Sequence, residues 1–395
     1  MTKKIQLYHF GDYGQYDEQS PLYLYEQKWA SELLYMIANA NPYQLTLQDI
    51  AKRLNIETNE IESLLGEMVA INMISMKDNR YSVEFTIFLE KDLPLIDEYS
   101  KLIAYDLGRK IVEHKDEITH MVSKLSTYNK FDLGRLLYHV IGCSIFDGTA
   151  MDAFGERGIF SVSKEQSGKR DYLLFGFEDS EKVEAFSDGL LCSCNNHRTE
   201  KVTFLSFGDS NGNRKDLYRF FRQVNSHLRE VTKHNGLNLA YIKTIDEYNK
   251  RLANRCADLI VRISQADVST NAISVEEENA LDLLQELGYI EVYKDGGVKI
   301  VPPLFTTEDE KIIEEVSNLV LGICTGYIAD ALAGLKIKMP MLSAVQHGID
   351  EKEIANELWH QVFGNVNEYL VKEGFFAKPK HRDGEGRYFQ ALYIS

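Results

Sequence analysis

The side chains best suited to chemistry crowd into one short stretch, "CSCNNH" at 192–197, which offers Cys192, Cys194 and His197. Thiolate and imidazole are good zinc ligands, but structural zinc sites draw on four ligands and favour Cys-x-x-Cys spacing. Here the spacing is Cys-x-Cys and a fourth ligand is missing. On a strand, Cys192 and Cys194 would share one face, and a buried structural pair is the reading preferred. A redox- or metal-sensing role stays open, because only thiol chemistry separates the two. The five cysteines (143, 192, 194, 256 and 324), with no export signal before them, suggest reduced thiols in a cytoplasm rather than a disulfide framework. No metal and no cofactor are expected.

Two other fragments bring enzymes to mind. "TFLSFGDSNGN" (203–213) resembles the first block of the GDSL-type esterases, in which a strand delivers Gly-Asp-Ser. The resemblance implies Ser210 as nucleophile. That family also needs an Asp-x-x-His element, and none follows Ser210. "CSIFDGTAMDAF" (143–154) is similar to the Asp-x-Asp-Gly-Thr element of haloacid dehalogenase-type phosphatases, but Ile145 stands where the nucleophilic aspartate belongs. Without that carboxylate there is no phospho-enzyme, and no enzyme is expected.

Recognition of a nucleic acid needs different residues. Phosphate is gripped by Lys and Arg, and base edges are read by Arg, Lys, Asn and Gln. The stretch "LTLQDIAKRLNIETNEIESLL" (45–65) is built to present a helix. Thr46 caps a first segment, with Asp49 three residues on as a short capping box. Leu47, Ile50, Ala51 and Leu54 form its stripe, and Asn55 suits a left-handed turn. Thr58 caps the next helix, whose apolar face is Ile61, Leu64, Leu65, Met68 and Ile71. Ahead of both, Trp29, Leu33, Leu34, Met36 and Ile37 mark a helix that ends at Asn41-Pro42. Behind them, Asn72 can stop the third helix. "MISMKDNRYSVEF" (73–85) then reads as a hairpin turned at Asp78-Asn79.

Three helices and a hairpin over residues 26–88 resemble the winged-helix family of bacterial transcription regulators. The resemblance implies DNA contact. Thr46, Thr58 and Asn59 lie at helix starts, and Lys77 and Arg80 in the wing could reach phosphate. The charge is mixed: Lys52, Arg53, Lys77 and Arg80 face Asp49, Glu57, Glu60, Glu62, Glu67 and Asp78. The third helix carries no basic residue. DNA contact and protein packing are equally open for this module.

Its ending recurs. "LLQELGYIEVYKDGGVKIVPP" (283–303) has a helix, Gly288 at the stop and a turn at Asp295-Gly296-Gly297. "YLVKEGFFAKPKHRDGEGRYFQALYI" (369–394) follows the same plan with Gly374 and a turn at Asp383-Gly384. One or two further winged-helix-like units are therefore expected. The last would offer Lys378, Lys380, Arg382 and Arg387 to DNA; a solvated hairpin tip would be charged as well.

Between these units, residues 95–140 look helical. Four stretches read as strands of one small, mainly antiparallel sheet: 158–163, 171–178, 189–195 and 201–209, with a helical excursion at 179–187. Phe160, Tyr172, Phe175 and Phe177 would line a ligand pocket or, more often, a sheet core. A long helix from Arg214 to His234 follows, with Leu217, Phe221, Val224, Leu228 and Val231 spaced as in a heptad seam. It would pack on the sheet, form a dimer seam or show a basic face to an anionic partner.

The chain has 395 residues and a formal net charge of -16, which opposes phosphate at long range unless local basic patches overcome it. The most membrane-like window, 316–335, contains Asn318 and Asp330 and reads as a buried core helix. The expected fold is α+β and mostly helical, with winged-helix modules flanking a central domain that holds a small antiparallel sheet. The expected segments are 1–25 (N-terminal), 26–90 (winged helix), 91–240 (sensor or dimerisation domain), 241–305 (second winged-helix-like unit) and 306–395 (C-terminal unit). The expected function is a cytoplasmic, homodimeric, DNA-binding regulator of transcription with an unknown small-molecule or protein effector. The alternative is a winged-helix scaffold that binds other proteins and no DNA.

Overall fold

Helix caps and stops set the local structure of this chain, and a computed structural model describes it over residues 3–12, 19–166, 168–224, 239–266 and 268–394. The architecture is mixed α+β, 55% helical, with small and mostly antiparallel sheets. The chain divides into two units, neither continuous in sequence. The first takes Met1–Arg109, Gly148–Gly189 and Gly322–Val366; the second takes Lys110–Asp147, Leu190–Leu321 and Asn367–Ser395.

The first unit contains helices Ala30–Asn39, Leu47–Leu54 and Asn59–Ala70, followed by strands Ile74–Lys77 and Arg80–Val83. Thr46 and Asp49 form a reciprocal capping box: the Asp49 N–H donates to Thr46 Oγ1, and the Thr46 N–H donates to the Asp49 carboxylate at 3.0 Å. Asn55 and Asn72 stop the second and third helices in the left-handed region, at φ 57 and φ 59. Asp78 and Asn79 are both left-handed, the pair of conformations that matches a two-residue turn to the twist of its strands. The segment before the second helix joins the hairpin, because the Tyr81 N–H donates to the Leu45 carbonyl and Thr46 bridges Arg80. Ile61, Leu64, Leu65, Met68 and Ile71 are buried in one core with Leu33, Leu34, Ile37, Ile50 and Leu54. Each such side chain contributes roughly 1.5–3 kcal/mol.

His347 fastens this assembly. Its Nε2 lies 3.1 Å from the carbonyls of Ala38 and Ala40, so that nitrogen carries the proton. Its Nδ1 then accepts from the buried Ser82 hydroxyl at 2.8 Å. Burial lowers the pKa of the ring and keeps it neutral.

Strand Arg170–Glu178 pairs antiparallel with Ile5–Asp12 and parallel with Thr86–Phe88. The single four-stranded central sheet expected over 158–209 is not what forms. Residues 171–178 belong to this sheet, whereas 193–198 and 202–208 pair in another sheet in the second unit. The stretch 158–163 contains no strand, since Gly158 turns the chain at φ 65 and Phe160 drops into the core against Phe154. Tyr172 and Phe177 are buried as well, and Phe175 stacks on Tyr8 and Phe10. Tyr172 and Phe177 are thus buried in this sheet, Phe160 packs against a helix, and Phe175 is half-buried.

The second unit holds a sheet in which Gly386–Ile394 runs antiparallel to Val202–Gly208 and parallel to Leu304–Phe305, with Ser193–Arg198 on the far side of Val202–Gly208. A separate three-stranded sheet joins Ile290–Val292, Gly297–Ile300 and Val268–Ser269 beside helices Leu239–Gln265 and Val275–Glu286. Of the expected helix 214–234, residues 217–224 are helical and place Leu217 and Phe221 in the core. Val224 is half-buried, and Leu228 and Val231 lie outside the described residues.

Among the described residues one helix, Thr307–Leu332, is long and apolar enough to cross a membrane. Its Ile313, Val316, Val320, Cys324, Ile328 and Leu332 are buried, and its first turn is Glu308, Asp309 and Glu310. A buried stripe behind an acidic first turn is the pattern of an amphipathic core helix.

Candidate docking surface

Helix Asn59–Ala70 buries one face and leaves the other open. Glu57, Asn59, Glu60, Glu62, Ser63, Gly66 and Glu67 are exposed, and among the described residues nothing outside the helix's own turns comes within 4 Å of where a Cβ on Gly66 would sit. The open face is therefore acidic. Lys28 approaches Glu60 at 3.5 Å from the preceding segment, and the Ser63 hydroxyl donates to Glu67 at 3.0 Å. Thr58 is half-buried and makes no side-chain cap bond.

The basic residues of the module lie off this helix. Lys52 and Arg53 end Leu47–Leu54, where cations favour the helix dipole. Lys77 and Arg80 are exposed on the hairpin, and the Arg80 guanidinium donates to the Gln44 carbonyl. Thr46 is committed to its capping box.

The same order returns in the second unit with one element shortened. Helix Leu239–Gln265 leads to strand Val268–Ser269, a single 3-10 turn Thr270–Ala272, helix Val275–Glu286 and the hairpin Ile290–Val292/Gly297–Ile300. The leading strand pairs with the second hairpin strand, as Thr46 pairs with Arg80 in the first unit. Gly288 supplies the left-handed stop at φ 79. The outward residues of Val275–Glu286 are Val275, Glu276, Glu278, Asn279, Asp282, Gln285 and Glu286. This helix, too, is acidic and carries no Lys or Arg.

The C-terminal segment has the expected left-handed stop at Gly374 (φ 69) and a turn at Gly384 (φ 74), and departs from the plan beyond them. Gly386–Ile394 is a nine-residue strand inside a five-stranded sheet, and only His381–Arg382 folds back on it. It is not the free wing expected. Nor is Arg387 free to contact DNA. Its Nε donates to Asp209 at 2.8 Å and its Nη2 to Glu368 at 2.7 Å, and Asp209 is 1% exposed. Burial alone would lower the pKa of this guanidinium, but the bonds to Glu368 and Asp209 outweigh it and hold the charge. Arg387 is thus spent on structure. Arg382 lies against the Tyr388 ring and pairs with Glu385, while Lys378 and Lys380 are exposed.

The same bonds account for Gly-Asp-Ser. A Cβ on Gly208 would fall 1.9 Å from the Arg387 carbonyl oxygen, so only glycine fits. Asp209 also accepts the Arg387 N–H at 3.0 Å, and Arg214 donates to the Asp209 carbonyl. The motif is a clamp between two strands.

Among the described residues no group of three or more His, Cys, Asp or Glu could hold a metal ion. His197 packs on Phe221, 5.1 Å between centroids. Cys194 instead meets a residue distant in sequence, Cys143, at 3.3 Å between sulfurs. Nothing in the Cys-x-Cys spacing pointed to that partner.

Comparison with family models, with curated proteins and with solved structures finds no match to this chain.

Proposed function

We propose that residues 26–88 form a winged helix, that residues 239–300 are a variant of it with the middle helix reduced to one turn, and that both serve to dock a protein partner with a lysine- and arginine-rich surface. One observation carries the reading: the open faces of Asn59–Ala70 and Val275–Glu286 bear glutamates and aspartate and no cation. Duplex DNA carries one negative charge about every 1.7 Å of its axis, so either helix laid in a groove would set carboxylates against phosphates. A basic protein surface inverts that sign, and complementary charge both steers encounter and excludes wrong partners. The competing reading, a DNA-binding regulator, draws on Lys77 and Arg80, with Lys52 and Arg53 beside them, and on Lys378, Lys380 and Arg382 near the C-terminus.

The test is selection from a random DNA pool at physiological salt with the full chain. Retention at background, with no enriched sequence, is the expected result. Recovery of an enriched sequence overturns the protein-docking proposal in favour of transcription regulation.

A further inference from the structure

The dithiol of Cys143 and Cys194 plays no part in docking. Cys143 lies on Tyr138–Thr149, a stretch wound as a π-helix, a rare conformation that tends to mark functional positions. Cys194 lies on strand Ser193–Arg198. Both are free thiols, with sulfurs 3.3 Å apart, whereas a disulfide bond measures about 2.05 Å. Closing the bond therefore asks for a shift of little more than an ångström. Cys143 is 3% exposed and Cys194 is half-buried, so a reagent from solvent reaches Cys194 first. Burial first, and then the neighbouring thiol, push the pKa of Cys143 well up, so it waits as a thiol. This division of labour, a half-buried thiol backed by a covered one, suits a peroxide-reacting pair.

We propose that Cys143 and Cys194 are a reversible oxidation site for hydroperoxides, with Cys194 the attacking and Cys143 the resolving sulfur. The Cys194 thiolate attacks the terminal peroxide oxygen. The O–O bond breaks, the departing oxygen leaves as an alcohol or water after taking a proton, and Cys194 becomes a sulfenic acid. The Cys143 sulfur then attacks the Cys194 sulfur. The S–S bond forms, the S–O bond breaks, and the hydroxyl leaves as water with the proton of Cys143. Two thiols and one hydroperoxide give one disulfide, one alcohol or water, and one further water. The two sulfurs supply the two electrons that reduce the peroxide.

The experiment treats the full chain with hydrogen peroxide and reads intact mass and peptide maps, with dimedone present to trap sulfenic acid. The wild type is expected to lose two hydrogens, to show a peptide cross-linked between Cys143 and Cys194, and to regain its mass with dithiothreitol. Cys143→Ser should instead accumulate dimedone at Cys194. A cross-link from Cys192 to Cys194, trapping at Cys143, or no loss of mass in the wild type overturns the proposal. The wild-type map decides even where the serine variant does not fold, and neither arm depends on what the acidic helices bind.

Discussion

Glu357→Gln is expected to stabilise the protein at pH 8 by up to about 5 kcal/mol and to change it little near pH 4.5. Glu357 is buried on helix Glu351–Lys372, where its carboxyl accepts from Gln361 Nε2 at 3.3 Å and its other oxygen lies 4.0 Å from His360 Nδ1. Burial raises its pKa from 4.5 to about 8, against the lesser pull of the Gln361 bond. Between those two values the folded chain holds a proton that the unfolded chain releases. Stability therefore falls as pH rises through the window, at about 1.4 kcal/mol per pH unit. Glutamine has the same shape and no proton to lose. His360 works in the opposite direction: burial lowers its pKa to about 4, so its contribution is lost as pH falls from 6.5 toward 4. The variant must accordingly be compared with the wild type at each pH. The measurement is denaturant midpoints from pH 5 to 8; a gap between the two proteins that does not widen with pH contradicts the burial of this carboxyl.

Arg387→Met is expected to cost about 3–5 kcal/mol, the loss typical of removing one member of a buried ion pair. The variant would take the guanidinium away from Asp209, which is 1% exposed, and leave it the bond from the backbone N–H of residue 387. Lys378→Ala and Lys380→Ala, on the same C-terminal segment but exposed, should each stay within about 0.5 kcal/mol. Urea midpoints of the three variants separate a structural arginine from surface cations. An Arg387→Met protein as stable as the lysine variants would return Arg387 to the list of available contacts.

Much of the local structure was legible because it depends on neighbours in sequence. The Thr46/Asp49 box, the stops at Asn55 and Asn72 and the turn at Asp78-Asn79 are each set within a few residues. Partnership over long distances was not legible. Period-two alternation tells which face a strand residue takes but not which strand lies beside it. Residues 171–178 and 201–209 therefore looked like one sheet, although the first pairs with Ile5–Asp12 and the second with Gly386–Ile394. Arg387 reads identically in sequence whether it is free or clamped by Asp209. The acidic face of Asn59–Ala70 was plain from composition and cap positions, whereas the matching face of Val275–Glu286 emerged once its strand order was known. The Cys143–Cys194 pair joins residues 51 apart, and no spacing rule reaches so far.

Docking of a basic protein surface on the acidic helices, as proposed, is a matter of complementary charge. It is tested by fluorescence anisotropy at about 150 mM salt, with a labelled lysine- and arginine-rich helical peptide and a labelled mixed-sequence duplex as probes. The proteins are the wild type and Glu60→Lys/Glu62→Lys/Glu67→Lys. The wild type is expected to bind the peptide and not the duplex, and the charge-reversed protein to bind the peptide about tenfold or more weakly, a change of about 1.4 kcal/mol or greater. Tight binding of the duplex by the wild type, weakening with salt at a slope near -0.9 per phosphate contacted, would contradict it.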